Sequence, residues 1–211
     1  KQAINCDSTV IRNAHHIPES RDTEREFILW VGRSAHFKRP ELYLDLACEF
    51  PNERFVMICQ CATDDADYEE LVQRAEAIAN LEFIERVDFK EAETYFARAK
   101  VFVSTSDSEG YPNTFVQACK HGTPILSLNV NPDGFLDTYN CGQSCGGKFQ
   151  KFIKSLRFML AENRYCEPGK NARRYAEQYH NIKKIIEEYK QIFNYRRLCT
   201  KMRRYDDAKH L

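Results

Sequence analysis

Glycine and proline are scarce in this 211-residue chain, at 8 and 7 residues, well under the roughly 12% the pair usually contributes. That excludes collagen-like and Pro/Gly-rich disordered classes. Long uncharged runs are missing as well. The longest stretch free of Lys, Arg, Asp and Glu is residues 121–132, interrupted by Gly122, Pro124 and Pro132, far from the ~20 apolar residues of a membrane-spanning helix. Net charge is absent, with 31 basic and 31 acidic residues, and no recognisable nucleic-acid motif interleaves the cations, so nucleic acid is not expected as a partner. No Met and no charged-then-apolar leader stand at Lys1, which predicts a piece of a longer protein with no secretory signal in it.

Metal-ligand spacing is lacking too. The nine cysteines are an odd number and scattered, which points to a reduced, cytoplasmic compartment. Cys141 and Cys145 have no second pair to complete a zinc site. The triplet Asp65, Ala66, Asp67 carries two carboxylates at metal-like spacing, but with Asp64 it opens a predicted helix, where acidic residues cap the free N–H groups and favour the dipole. His15 and His16 have no spaced partners. No metal ion is expected.

What is present is a core. Hydrophobic residues make up 43%, and a chain of this size buries roughly 72% of its extended surface on folding. We expect one domain over residues 1–195 and a basic tail over 196–211. The charge is uneven along the chain: through Gly147 there are 14 basic and 24 acidic residues, and from Lys148 onward 17 and 7. The basic C-terminal third is expected to face another domain or an anionic membrane surface.

Short apolar runs at 8–12, 27–31, 55–61, 81–84, 101–104 and 125–128 read as buried strands. Between them, Tyr43, Leu46, Ala47 and Phe50 mark a helical face after Pro40. Leu71, Val72, Ala75, Ile78 and Ala79 mark a second, and Ala92, Tyr95, Phe96 and Ala99 a third. This alternation predicts a doubly wound, mostly parallel α/β sheet. From Lys148 the pattern is helical only, with stripes at Phe149, Phe152, Ile153, Leu156, Met159 and Leu160, and at Ile182, Ile185, Ile186 and Tyr189.

In such sheets ligands bind beyond the carboxyl ends of the strands. After the run at 27–31, Gly32 allows close backbone approach, and Arg33 and Lys38 supply a guanidinium fork and an ammonium, an arrangement suited to phosphate. After 101–104 comes Glu109, Gly110, Tyr111, Pro112, Asn113, Thr114 and, one turn into a predicted helix, Gln117. Pro112 suits the start of that helix, and the free N–H groups of Asn113 and Thr114 form an anion site. A carboxylate beside it, Glu109, is suited to neutral hydroxyls such as those of a sugar.

These loops, together with residues 122–127 and 131–134, resemble the donor-binding half of glycosyltransferase family 4, retaining enzymes of the GT-B fold with two Rossmann-like domains. The resemblance spans roughly residues 8–193. It implies that Arg33 and Lys38 hold the diphosphate of a nucleotide-sugar donor, with no metal. It implies that Glu109 contacts the donor sugar and that the backbone from Gly110 to Thr114 lies near sugar and phosphates. Arg86 and Val87, after the run at 81–84, would lie at the base. The family's second glutamate takes the ribose diol; here that position is Gln117, whose amide offers one acceptor oxygen. A polysaccharide or glycolipid acceptor and an N-terminal domain of the same polypeptide are implied as partners. A nucleotide-sugar epimerase or a non-catalytic nucleotide-sugar-binding domain would use the same cradle.

Overall fold

The structure, a computed structural model, describes residues 10–19, 23–63 and 65–193. Strands β1 (Phe27–Arg33), β2 (Phe55–Gln60), β3 (Leu81–Ile84), β4 (Ala99–Ser104), β5 (Ile125–Ser127) and β6 (Gly142–Ser144) form one sheet in the order β3-β2-β1-β4-β5-β6. Every pairing is parallel. Helices α1 (Pro40–Cys48), α2 (Tyr68–Glu76), α3 (Phe89–Arg98), α4 (Asn113–Lys120), α5 (Phe135–Thr138), α6 (Phe149–Leu160) and α7 (Cys166–Tyr179) flank it, and residues 182–193 are helical. This is the doubly wound, Rossmann-like architecture that the alternating pattern predicts.

Alternation along β1 shows why the strands are apolar on both faces. Ile28 and Trp30 join a core with Tyr43, Leu46, Leu71, Phe152 and Leu156, from α1, α2 and α6. Phe27 and Leu29 point the other way, to Phe96, Phe115, Ala118, Phe135 and Tyr175, from α3, α4, α5 and α7. A strand covered by helices on both sides has no room for a polar face.

Arg25 fastens the second layer. Its guanidinium donates to Phe96 O (3.5 Å), Ala99 O (2.9 Å), His121 O (2.8 Å), Gly122 O (3.1 Å) and Thr123 Oγ1 (2.6 Å). One cation thus satisfies the carbonyls at the C-terminal ends of α3 and α4, where the helix dipoles favour positive charge.

Several expectations need correction. Of the run at 8–12, residues 8 and 9 lie outside the described residues, and residues 10–12 make no strand. Only His15 pairs, through an isolated bridge to Asn181. β1 continues through Gly32 and Arg33, so these two stand on a strand end and not in a loop. β2 stops at Gln60, which leaves Cys61 exposed. α3 ends at Arg98, and Ala99 begins β4. Asp67 precedes α2 without a side-chain cap; Asp65 instead accepts the Asp67 N–H at 3.1 Å. In the last stripe only Ile185 is buried, while Ile182, Ile186 and Tyr189 are exposed. β6 is a strand with no apolar signal. A Cβ on its Gly142 would collide with the Ile125 carbonyl oxygen, so only glycine fits there. The basic tail at 196–211 lies outside the described residues.

Candidate functional site

The crossover direction of the sheet reverses between β1 and β4, which are adjacent. At such a switch point the loops after the two strands diverge and leave a crevice at their carboxyl ends. The two loops singled out in the sequence are the ones that follow β1 and β4. They are tied together: the Asp107 N–H donates to Phe37 O at 2.8 Å, and Arg39 reaches Asp107 at 3.4 Å.

Lys38 is held by its backbone. The Trp30 indole N–H donates to Thr105 Oγ1 at 3.0 Å, and that hydroxyl donates to Lys38 O at 2.7 Å. Gly32 is needed for this arrangement, because a Cβ there would lie 2.8 Å from the Trp30 ring. The room that Gly32 leaves is therefore filled by Trp30. The Lys38 ammonium stands 2.7 Å from Glu109 Oε1, with both side chains largely covered. Ser106 Oγ donates to the same oxygen at 2.7 Å. A cation and an anion thus share one point of the crevice, the first suited to phosphate and the second to hydroxyls.

Arg33, the last residue of β1, is exposed and forms no ion pair among the described residues. Asn113 opens α4 behind Pro112. Its side-chain oxygen accepts from Asn13 Nδ2 at 2.9 Å. Gly110 is exposed, Thr114 half-buried and Pro112 buried.

Tyr111, by contrast, turns inward. Its hydroxyl lies 2.8 Å from that of Tyr175 and 3.2 Å from His180 Nε2, and its ring packs on Phe135. Burial raises the Tyr111 hydroxyl well above its ordinary pKa, so it stays a neutral donor. Burial pushes the His180 imidazole down to about 4. The neutral ring donates from Nδ1 to Asn13 O at 2.8 Å and accepts the Tyr111 hydroxyl on Nε2. Loop 105–112 is thereby bolted to α7 and to the segment before β1.

Gln117 turns to α3. It is buried, and its amide lies 3.4 Å from Glu93 Oε1 on α3. Arg86 and Val87 follow β3 at the edge of the sheet, Arg86 exposed and Val87 packed on the second core layer. The structure joins Lys38 directly to Glu109, with Gly32 and Arg33 at the end of β1 and α4 opening four residues after Glu109; Gln117 meets Glu93 instead, and Arg86 and Val87 follow the edge strand β3. Ser106, Thr105 and Glu93 were not singled out in the sequence. The first two are signalled only by polar residues directly after a buried strand.

A cavity of about 1300 Å³ lies elsewhere, between residues 16–19, parts of α3 and α7 and the residues just after α4, with Glu93, His121, Tyr165 and Arg173 in its lining. It contains none of Arg33, Lys38 and Glu109. Among the described residues no cluster of three or more His, Cys, Asp or Glu is placed to hold a metal ion, and no helix is long and apolar enough to cross a membrane.

The model of the family described as glycosyl transferases group 1 matches residues 11–205. The chain belongs to this family. A curated relative, an uncharacterised glycosyltransferase from Haemophilus influenzae, is 24% identical over 184 residues, which are 80% of this chain and 49% of that protein. Among solved structures, a TarM mutant from S. aureus with UDP, Fondaparinux and alpha-GlcNAc-glycerol superposes with a TM-score of 0.72 at 18% identity, covering 88% of this chain and 39% of TarM. The sucrose-phosphate synthase of Thermosynechococcus elongatus gives a TM-score of 0.69 at 21% identity, over 83% and 46%. HepE from Anabaena, with UDP-glucose, gives 0.66 at 17%, over 80% and 49%. The glycosyl transferase chain described here thus spans about half the length of the relatives it matches. Its sheet is the Rossmann-like unit of these proteins.

Proposed function

We propose that this chain is the C-terminal, donor-binding half of a retaining family 4 glycosyltransferase that moves a sugar from a nucleoside-diphosphate sugar to a polysaccharide or glycolipid. The observation that carries the reading is the Lys38–Glu109 pair at the switch point of the sheet. The ammonium is suited to phosphate oxygens and the carboxylate to sugar hydroxyls. A sugar joined to a diphosphate offers both.

In this reading the diphosphate takes the Lys38 ammonium, the exposed Arg33 and the N–H groups at the start of α4. These donors also stabilise the charge that grows on the departing phosphate as the anomeric C–O bond breaks. No metal is required, because the cations already neutralise that charge. Glu109, released from Lys38, accepts hydrogen bonds from sugar hydroxyls, with Ser106 holding its second lone-pair direction. The base lies by Arg86 and Val87. The acceptor site and much of the catalytic machinery lie on an N-terminal domain of the same polypeptide, which closes over the donor and excludes water. The basic C-terminal third meets that domain or the inner face of a membrane, from a cytoplasmic location.

UDP and UDP-glucose complexes among the similar structures support the donor class. The test is a transfer assay of these 211 residues alone, with UDP-glucose and a panel of glycan and lipid-linked acceptors. Donor binding without multiple turnovers is expected. Repeated turnover by this chain would show that it carries a complete site and would overturn the two-domain reading.

A further inference from the structure

Of the large apolar side chains left exposed among the described residues, Phe37 is the one carried by the loops after β1 and β4. A lone exposed aromatic is ordinary on a protein surface, but the contacts of this one fix it at the crevice. It sits in the turn His36–Lys38 between β1 and α1. Its carbonyl accepts the Asp107 N–H of the β4 loop at 2.8 Å, and its ring centroid lies 5.5 Å from the Lys38 ammonium.

That ammonium is the one that meets Glu109 at 2.7 Å. A phenyl ring, an ammonium and a carboxylate therefore stand together where the crossovers reverse, the ring 44% exposed and the two charged side chains largely covered. The face of an aromatic ring carries partial negative charge, which draws a cation to it. The C–H bonds of a sugar, polarised by their oxygens, approach the same face for the same reason.

A hexopyranose has two kinds of surface. Equatorial hydroxyls radiate from its edge, where a carboxylate accepts from them, and C–H bonds cover its faces, where an aromatic side chain makes the favourable contact. We propose that Phe37 is the platform for the donor sugar: a C–H face of the pyranose stacks on the ring while hydroxyls at its edge reach Glu109. The diphosphate draws the Lys38 ammonium away and leaves the ring face to the sugar. This assignment rests on the donor reading above and adds to it a residue that distinguishes a nucleotide sugar from a bare nucleotide.

Calorimetric titration with UDP, GDP, ADP and CDP first identifies the tightest nucleotide of the unaltered chain. The glucose, galactose and N-acetylglucosamine esters of that nucleotide then identify the tightest sugar ester. Phe37→Leu stays apolar and keeps the backbone bond to Asp107 but removes the ring. It is expected to weaken the sugar ester about 3- to 10-fold, the range for a contact between aromatic groups, and to leave the free nucleotide unchanged. Phe37→Tyr restores a ring and should restore the affinity. The ring current should also move sugar C–H proton resonances upfield on binding to the unaltered chain and to Phe37→Tyr, and not on binding to Phe37→Leu. Equal losses for the two ligands, no loss for either, or a loss that Phe37→Tyr does not recover would overturn the assignment of Phe37 while leaving the donor reading intact. If the unaltered chain binds none of the four nucleotides, or none of the esters, the donor reading itself falls and takes this assignment with it.

Discussion

The Lys38 ammonium and the Glu109 carboxylate, 71 residues apart in sequence, meet at 2.7 Å where the crossovers of the sheet reverse. Each neutralises the other. In the proposed function a nucleotide sugar parts them, with phosphate replacing the carboxylate and sugar hydroxyls replacing the ammonium. Two substitutions separate these roles.

Lys38→Ala and Arg33→Ala are each expected to weaken nucleoside diphosphate binding by about 1.5–3 kcal/mol, the cost of a hydrogen bond to a charged group. The matching nucleoside, which carries no phosphate, should bind as before. Calorimetry with both ligands checks this. Equal losses would mean that these residues support the loop and not the phosphate.

Glu109→Gln keeps the shape of the side chain and removes its charge. The sugar loses a charged acceptor, while Lys38 is freed from its partner. The nucleotide sugar should therefore bind more weakly by at least tenfold, and the free diphosphate as tightly as before or more so. Competition titrations of the two ligands measure the difference. Parallel weakening would place Glu109 in loop structure alone, through Ser106 and Lys38.

Much of this was legible from residues in sequence. The runs at 27–31, 101–104 and 125–128 are apolar on both faces because helices cover both faces of the sheet, and the alternation of such runs with helical stripes announces the fold. Arg33, Lys38 and Glu109 could be picked out because they stand directly after such runs. Elements that draw their order from distant partners were not legible. β6 is held by backbone pairing to β5 and has no pattern of its own. Tyr111 reads as a site residue, but Tyr175 and His180, 64 and 69 residues away, pull it into the core. Glu93 carries no signal of its own in the sequence; α4 sets Gln117, Lys120 and His121 against it.

Acid should loosen the bolt behind the site. Burial lowers the His180 imidazole to about 4 in the folded chain, while the unfolded chain keeps the ordinary value near 6.5. Between those values the unfolded chain holds a proton that the folded chain does not. The contribution is therefore complete above pH 6.5 and lost as pH falls toward 4, an effect of about 3 kcal/mol. Urea denaturation at pH 7, 5.5 and 4 should show it, and His180→Gln should flatten the profile. A variant with the same pH dependence as the unaltered chain would assign the effect to other groups.

In the proposed function the crevice between the β1 and β4 loops holds a nucleoside diphosphate with protein cations alone. Titration of this chain with UDP, GDP, ADP and CDP in the presence of a chelator, repeated after Lys38→Ala, decides this. Binding of at least one nucleotide in chelator is expected, unchanged by added magnesium or manganese and weakened at least tenfold by Lys38→Ala. Binding that appears only with a divalent metal, or that is indifferent to the loss of Lys38, would rule it out.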